Sequence, residues 1–190
     1  MKQNTHFPSI INWVLTLTIL AGLFCPSPVL AASADEIDQK VAAALDSLYA
    51  DSSAAKELSG VAKGILVFPN VVKGGFIVGG HYGEGALLVN GSPEAYFNTV
   101  AASYGLQIGA QKFGYAMFLM TEEALNYLET SQGWEIGVGP SVVVVDSGLA
   151  RSLSTSTAKE DIYAFFFSQK GLMAGLGLQG SKITRIDPEE

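Results

Sequence analysis

The chain has 190 residues, and its 18 acidic and 11 basic side chains give a formal net charge of -7 at pH 7. A surface of this sign repels nucleic acid at long range, so the composition argues against a nucleic-acid-binding protein. Because 48% of the residues are hydrophobic, a chain of this length can bury the substantial core of one domain.

The first segment has the pattern of a secretory signal peptide. Lys2 is followed by an apolar stretch from Ile10 to Phe24, and then by prolines and the small residues at 31–34. The apolar stretch is shorter than the roughly 20 residues that a helix needs to cross a bilayer. We therefore predict a signal peptide over residues 1–34, cleaved after Ala31 or Ala34, and a protein exported to the periplasm or cell envelope, or secreted.

The single cysteine, Cys25, lies before either predicted cleavage position. A lipid-anchoring motif needs a small residue before its cysteine, and here the preceding residue is Phe24. Cleavage would leave residues 35–190 without a cysteine, which excludes a disulfide, a thiolate metal site and a thiol nucleophile in that domain.

The first element after the cleavage positions is predicted to be an amphipathic helix. Ser33 and Glu36 have the spacing of a capping box. A stripe at intervals of three and four residues follows, comprising Ile37, Val41, Leu45 and Leu48. A short second helix over 54–58 would end at Gly60, where the pattern changes to short apolar runs.

From Gly64 onward the pattern predicts mainly strands, interrupted by one helix. That helix has Thr121 as its N-cap, acidic residues in its first turn, and Leu125 and Leu128 on its buried face. The candidate strands are 65–68, 75–80, 85–89, 101–110, 115–120, 134–138, 142–145, 162–167, 172–179 and 183–186.

Several of these strands carry a glycine at every second position, as at Gly137 and Gly139. Alternate glycines leave one face of a sheet nearly bare, and bare backbone is costly unless another element packs closely on it. We therefore predict an α+β fold, rich in β-structure. It would be a strongly coiled antiparallel sandwich or small barrel, with the N-terminal helix and the further helix packed on it.

The motif Gly-Leu-Gly-Leu-Gln-Gly at 175–180 has the spacing of a dinucleotide fingerprint. That fingerprint requires a following helix, whereas only ten residues follow Gly180. The glycines are interpreted as strand packing, and no cofactor is predicted.

Catalytic and metal-binding chemistry has little support in the sequence. His81 is the only histidine left after cleavage, and we expect it to be solvated in a glycine-rich stretch, at a strand end or turn. One histidine cannot build a multi-histidine metal site. The adjacent carboxylates at 122–123 and 160–161 do not face each other in a helix or strand. We predict no catalytic residues, no metal ligands and no enzyme activity.

Three lysines separate apolar runs as hairpin turns would, namely Lys73, Lys112 and Lys170. If the turns lie at one end of a barrel, the lysines would form a basic rim there. The alternative is that they only make the turns soluble.

Two groups of motifs resemble the SYLF domain family. The opening group is Ala-Lys-Gly-Ile-Leu-Val-Phe at 62–68, followed by Lys-Gly-Gly-Phe at 73–76. The stretch at 134–137 leading into 142–146, and the stretch at 171–175 leading into 180–184, resemble the middle and closing motifs of exported bacterial members. The resemblance covers essentially residues 35–186.

The resemblance implies lipid binding without catalysis, because SYLF proteins bind lipids and eukaryotic members contact phosphoinositides and actin. The partner it implies is a lipid or an anionic membrane surface, with an envelope protein as a further partner. The alternative is a structural or protein-interaction module of the envelope with no lipid ligand. The lipid-binding residues we predict are Lys63, Lys73, Phe68 and Phe76, together with the turn lysines Lys112 and Lys170.

Overall fold

The computed structural model describes residues 32–131, 133–171, 178 and 180–189, except for the side chains of 76–78, 103–108 and 171. From Ala32 onward the chain forms one compact unit. Among the described helices, none is long and apolar enough to cross a membrane.

Helix α1, Ala34–Asp51, is the predicted amphipathic helix. Ser33 caps it, because its hydroxyl accepts a hydrogen bond from the Glu36 backbone N–H at 3.3 Å. The buried face consists of Ile37, Val41 and Leu48, as the spacing predicts. Helix α2, Ser53–Ser59, follows after a break at one residue and buries two alanines and a leucine.

Two long antiparallel strands form the centre of the fold. Strand β1, Gly64–Val89, has 26 residues, and β2, Ser92–Leu119, has 28 residues. A two-residue turn joins them, with φ of 51° at Asn90 and 80° at Gly91. Positive φ at both positions defines a type I′ turn, which matches the twist of the paired strands.

The remaining elements follow in chain order: α3 (Glu122–Thr130), β3 (Trp134–Glu135), β4 (Val142–Val145), α4 (Ser147–Ala150), β5 (Ile162–Gly171) and β6 (Lys182–Ile186). Both β6 and β5 pair with β2, along 96–100 and 111–119 respectively. The order is β3-β6-β2-β5-β4, with β1 also on β2. All described pairs are antiparallel except β4 with β5. The predicted α+β, β-rich class is confirmed.

Strand β1 bends so strongly that its second half approaches its first half. A Cβ atom on Gly83 would lie 2.8 Å from Val71 Cγ2 and 2.9 Å from the Asn70 carbonyl oxygen. A Cβ atom on Gly85 would overlap the Val67 carbonyl oxygen. The glycines therefore allow two stretches of backbone to meet, which is the close packing that the sequence pattern predicts.

The sheet has a hydrophobic core on each face. One face is covered by α1 and α2, whose apolar side chains pack on residues such as Val67, Phe118 and Phe165. The opposite face encloses a second core that includes Phe68, Tyr115 and Trp134. The helix layer therefore fixes α1 across the sheet, and this placement creates the groove described below.

Several predicted boundaries are wrong. The glycine-rich segments around 74 and 83 are continuous strand rather than turns, because β1 bends without ending. Residues 92–100 belong to β2, although no strand was predicted there. The predicted strand 134–138 ends at Glu135, and 136–137 form a turn. The predicted strand 172–179, and with it most of the glycine motif at 175–180, lies outside the described residues.

Candidate functional site

A groove of about 320 Å³ lies between α1 and the sheet. We call it the basic groove, because Lys40, Lys112 and Lys170 line it. Lys40 comes from α1, Lys112 from the second half of β2, and Lys170 from the end of β5. Small and apolar residues form the rest of its wall, with three polar side chains among them: Ala43, Ala44, Ser47, Pro69, Asn70, Phe113, Phe167 and Ser168.

Lys112 and Lys170 lie directly opposite each other on neighbouring antiparallel strands. Cβ atoms of such a pair are about 4.5–5.5 Å apart, and like charges placed this way repel each other. Both side chains are exposed. Among the described residues, neither lysine has a carboxylate within the 4.0 Å of an ion pair. The two ammonium groups are therefore a local concentration of uncompensated positive charge on an acidic protein.

A β-bulge creates this pairing. Gly114 pairs with Phe167, and the next described pair is Lys112 with Lys170, so β5 has one more residue than β2 between the two pairs. The extra residue is accommodated at Ser168, which has a φ of 52°. Without the bulge, Gln169 would stand opposite Lys112. The local backbone therefore determines that two lysines meet.

Lys40 adds a third ammonium group from the helix side. Its Nζ atom lies 2.6 Å from Glu36 Oε1, one helical turn earlier, in an exposed ion pair. An exposed pair of this kind contributes only about 0.3–0.5 kcal/mol, so a stronger anionic ligand can compete for the ammonium group.

Apolar groups lie beside these charges. Phe113 and Phe167 both line the groove, and each side chain is otherwise buried in one of the two cores. A site with ammonium groups next to an apolar wall suits an amphipathic anion, because its charged and apolar parts are both matched.

The structure separates the other suggested lipid-binding residues from the basic groove. Lys63 lies just before β1 and forms an ion pair with Glu122 at 3.2 Å. Lys73 pairs with Gln111, next to Lys112, but its side chain lies on the opposite face of the sheet. Phe68 is fully buried, with its ring centre 4.9 Å from that of Tyr115. Phe76 lies in β1, and its side chain is outside the described part.

The prediction that three lysines lie in hairpin turns and form a basic rim is wrong. Lys73 and Lys112 lie within β1 and β2, and only Lys170 is near a strand end. Lys73 stands opposite Gln111, whereas Lys112 stands opposite Val72. Because side chains alternate along a strand, Lys73 and Lys112 point to opposite faces of the sheet. The structure therefore brings together two of the three turn lysines, through strand pairing.

The expectation that His81 is solvated at a strand end or turn is also wrong. His81 is buried in β1, and its Nε2 atom lies 3.4 Å from the Thr99 hydroxyl. The Tyr115 hydroxyl donates a hydrogen bond to the same Thr99 oxygen at 2.8 Å. Burial lowers the pKa of His81, and the nearby charge of Lys73 lowers it further. The imidazole therefore belongs to a buried polar network on the face opposite the basic groove.

This burial predicts acid sensitivity. In the unfolded chain His81 binds a proton near pH 6.5, and in the folded protein it does so only at lower pH. The contribution of neutral His81 to the free energy of unfolding is therefore complete above the pKa of the unfolded state, and it is lost as pH falls through the pKa of the folded state. In urea unfolding between about pH 7.5 and about pH 5, His81→Gln should flatten the loss of unfolding free energy. Parallel pH curves for the two proteins would contradict this.

The fold and the groove define a β-rich α+β domain with a charged surface site. Residues 100–189 match the model of a family described as Ysc84, Las17-binding protein actin regulator. Over these residues, just under half of the chain, the sequence matches the SYLF family, as the resemblance predicts. The curated proteins include none that matches. The matched residues contain Lys112 and Lys170, whereas Lys63 and Lys73 precede them.

Proposed function

We propose that the protein is a non-enzymatic protein of the cell envelope that binds an anionic lipid or membrane surface through the basic groove. The observation that carries the proposal is the opposed pair Lys112 and Lys170, beside an apolar wall. Holding two ammonium groups face to face costs stability, and an anion between them would remove that cost. The match to a lipid-binding family supports the same role.

The expected affinity is modest unless the lipid also uses the apolar wall. A lysine near an anionic surface contributes about 1 kcal/mol, so three lysines supply weak, salt-sensitive adsorption. Each buried methylene group of an acyl chain would add about 0.8 kcal/mol. Binding that survives raised salt would therefore show that chain atoms enter the groove.

The envelope location in this proposal rests on the first segment. Its basic residue, apolar stretch and small residues suit a secretory signal peptide, and the compact unit begins at Ala32, inside the predicted cleavage region.

Charge reversal at the opposed pair provides the test. Lys112→Glu/Lys170→Glu should bind vesicles of phosphatidylcholine and phosphatidylglycerol at least about 30-fold more weakly than the parent, since two contacts of about 1 kcal/mol are lost. Sedimentation of the protein with the vesicles measures the bound fraction. Circular dichroism of each variant shows that the fold is retained.

Two controls separate the groove from general charge. Lys56→Glu/Lys159→Glu makes the same change in net charge at exposed positions outside the groove and should bind much more tightly than the groove variant. Lys63→Glu tests the start of β1, where the lysine already has a carboxylate partner. If the groove variant binds as the parent does, or all variants lose binding equally, the proposal fails.

A protein-interaction module is the second candidate function, and the family description, which names a protein partner, favours it. The exposed face of α1 is acidic and would be the surface for such a partner, through Asp35, Glu36, Asp46 and Asp51. Native mass spectrometry of the protein purified from its own envelope distinguishes the candidates. A bound lipid supports the first, and a bound protein without lipid supports the second.

A further inference from the structure

Glu84 holds the beginning of the compact unit. Its Oε2 atom accepts a hydrogen bond from the Ala32 backbone nitrogen at 3.3 Å. Its Oε1 atom accepts one from the Tyr82 hydroxyl at 2.6 Å. The carboxylate is thus held by a neighbouring side chain and directed at the nitrogen of a residue 52 positions away in sequence.

Ala32 is held by packing as well as by this hydrogen bond. Its side chain is partly buried against the core between α1 and the sheet. It lies two residues before α1, in the lead to the capping residue Ser33. A backbone amide N–H is neutral, so it leaves the negative charge of the carboxylate unpaired. An ammonium group at the same place would balance that charge and form a stronger, charge-assisted hydrogen bond.

We infer that Glu84 is the docking site of an amino-terminal ammonium group, produced by hydrolysis of the Ala31–Ala32 bond. The inference rests on the export in the proposed function, and the reaction is that of a signal peptidase with water. The amide C–N bond breaks, the water oxygen joins the Ala31 carbonyl carbon to give a carboxylate, and the Ala32 nitrogen becomes an ammonium group. Its hydrogen bond to Glu84 then becomes an ion pair.

The alternative cleavage after Ala34 would damage the fold. It would remove Ser33, whose hydroxyl caps α1, and with it a helix-stabilising hydrogen bond. It would also remove the hydrogen bond from the Ala34 nitrogen to the Glu189 carbonyl oxygen. The new ammonium group would stand at the helix N-terminus, where the helix dipole disfavours positive charge. Of the two positions that the sequence leaves open, the structure therefore favours Ala31.

Processing at this position would also change the charge beside the basic groove. Glu84 and Ala32 line a neighbouring cavity of about 180 Å³, which shares Lys40, Pro69 and Asn70 with that groove. An ammonium group on Glu84 neutralises the carboxylate in this cavity. The combined surface then carries the lysine charges without that opposing charge, which favours an anionic ligand.

The amino terminus of the protein purified from its own envelope gives the first test. Intact mass and amino-terminal sequencing should show a chain that begins at Ala32. A chain beginning at Asp35 would overturn the inference and leave export standing. A chain that keeps the first 31 residues would overturn the cleavage, and with it the docking of an ammonium group.

The second test does not depend on export. Two purified forms are compared, one beginning at Ala32 and one with a single extra alanine before it, which moves the ammonium group away from Glu84. In the first form, Glu84→Gln should lower Tm at neutral pH by about 1–4 °C, the effect of losing one partly exposed ion pair. Gln keeps an acceptor for Tyr82, so only the charge is lost.

The loss should shrink in the form with the extra alanine, and also at about pH 10, where an α-amino group is neutral. Glu94→Gln is the matched control, since Glu94 is an exposed carboxylate at the start of β2 and should leave Tm unchanged in both forms. Equal losses for Glu84→Gln in the two forms, or none in either, would overturn the inference.

Discussion

Gly85→Ala is expected to destabilise the protein by about 3 kcal/mol, at the upper end of overpacking effects. The added Cβ atom would overlap the Val67 carbonyl oxygen and lie 2.8 Å from Phe68 Cδ1. The first of these neighbours is backbone held in the β1–β2 ladder, so it cannot move away without breaking strand pairing. Urea unfolding followed by circular dichroism measures the loss as a lower midpoint.

Gly74→Ala is the matched control in the same strand. The nearest described atom to its added Cβ is the Gly109 carbonyl oxygen at 3.9 Å, an ordinary van der Waals contact. Its effect should stay within about 0.5 kcal/mol, as for a surface substitution. If the two alanine variants unfold at the same urea concentration, the close approach within β1 does not exist in solution.

Trp134→Ala is expected to cost about 3–5 kcal/mol, the usual range for a buried aromatic side chain. Trp134 is only 1% exposed, and its ring meets Tyr127 edge to face at a centre distance of 6.3 Å. The indole N–H donates to the Val138 carbonyl oxygen at 2.9 Å, which closes the turn after β3. The free energy of unfolding, measured in urea, reports the loss.

Two further variants divide this effect into its parts. Trp134→Phe keeps most of the apolar packing but loses the N–H donor, so its cost should be intermediate. Val138→Ala removes a side chain that is 59% exposed while keeping the carbonyl acceptor, and it should be nearly neutral. A Trp134→Phe variant as unstable as Trp134→Ala would assign the whole effect to the hydrogen bond.

The helices were predictable because their signals are local. Ser33 and Thr121 cap α1 and α3 through their own hydroxyl groups, within three residues of the cap. The buried faces follow from a spacing of three and four residues, as with Leu125 and Leu128. Neither signal depends on the rest of the chain, so the sequence is enough to place them.

The sequence does not reveal the full length of β1 and β2, because a glycine can either end a strand or allow close backbone packing inside one. In most sequences a glycine cluster ends a strand, but Gly83 and Gly85 lie inside β1, where another part of the same strand approaches them. That approach depends on the bend of the whole strand and is not visible in a short window. The Asn90-Gly91 turn was a readable signal, since this pair is the strongest short-range mark of a hairpin.

The basic groove was predictable only in part. The sequence marks Lys112 and Lys170 as candidates, but their meeting depends on a one-residue bulge at Ser168, which no spacing rule reveals. The sequence does not distinguish Lys40, because it lies on the exposed side of an amphipathic helix and its distance from Lys112 depends on tertiary packing. The pairing of Lys112 with Lys170 is a property of strand register, and composition does not determine register.

The hydrogen bond from Ala34 to Glu189 has a consequence for the connectivity of the chain. It places the two ends of the described chain side by side, so the path of the backbone is nearly a closed ring. A short linker from Glu189 to Ala32, with a new opening at the exposed Asn90-Gly91 turn, would preserve the order of all described strands. Circular permutation of this fold therefore tests the contribution of connectivity to stability, with the packing kept the same.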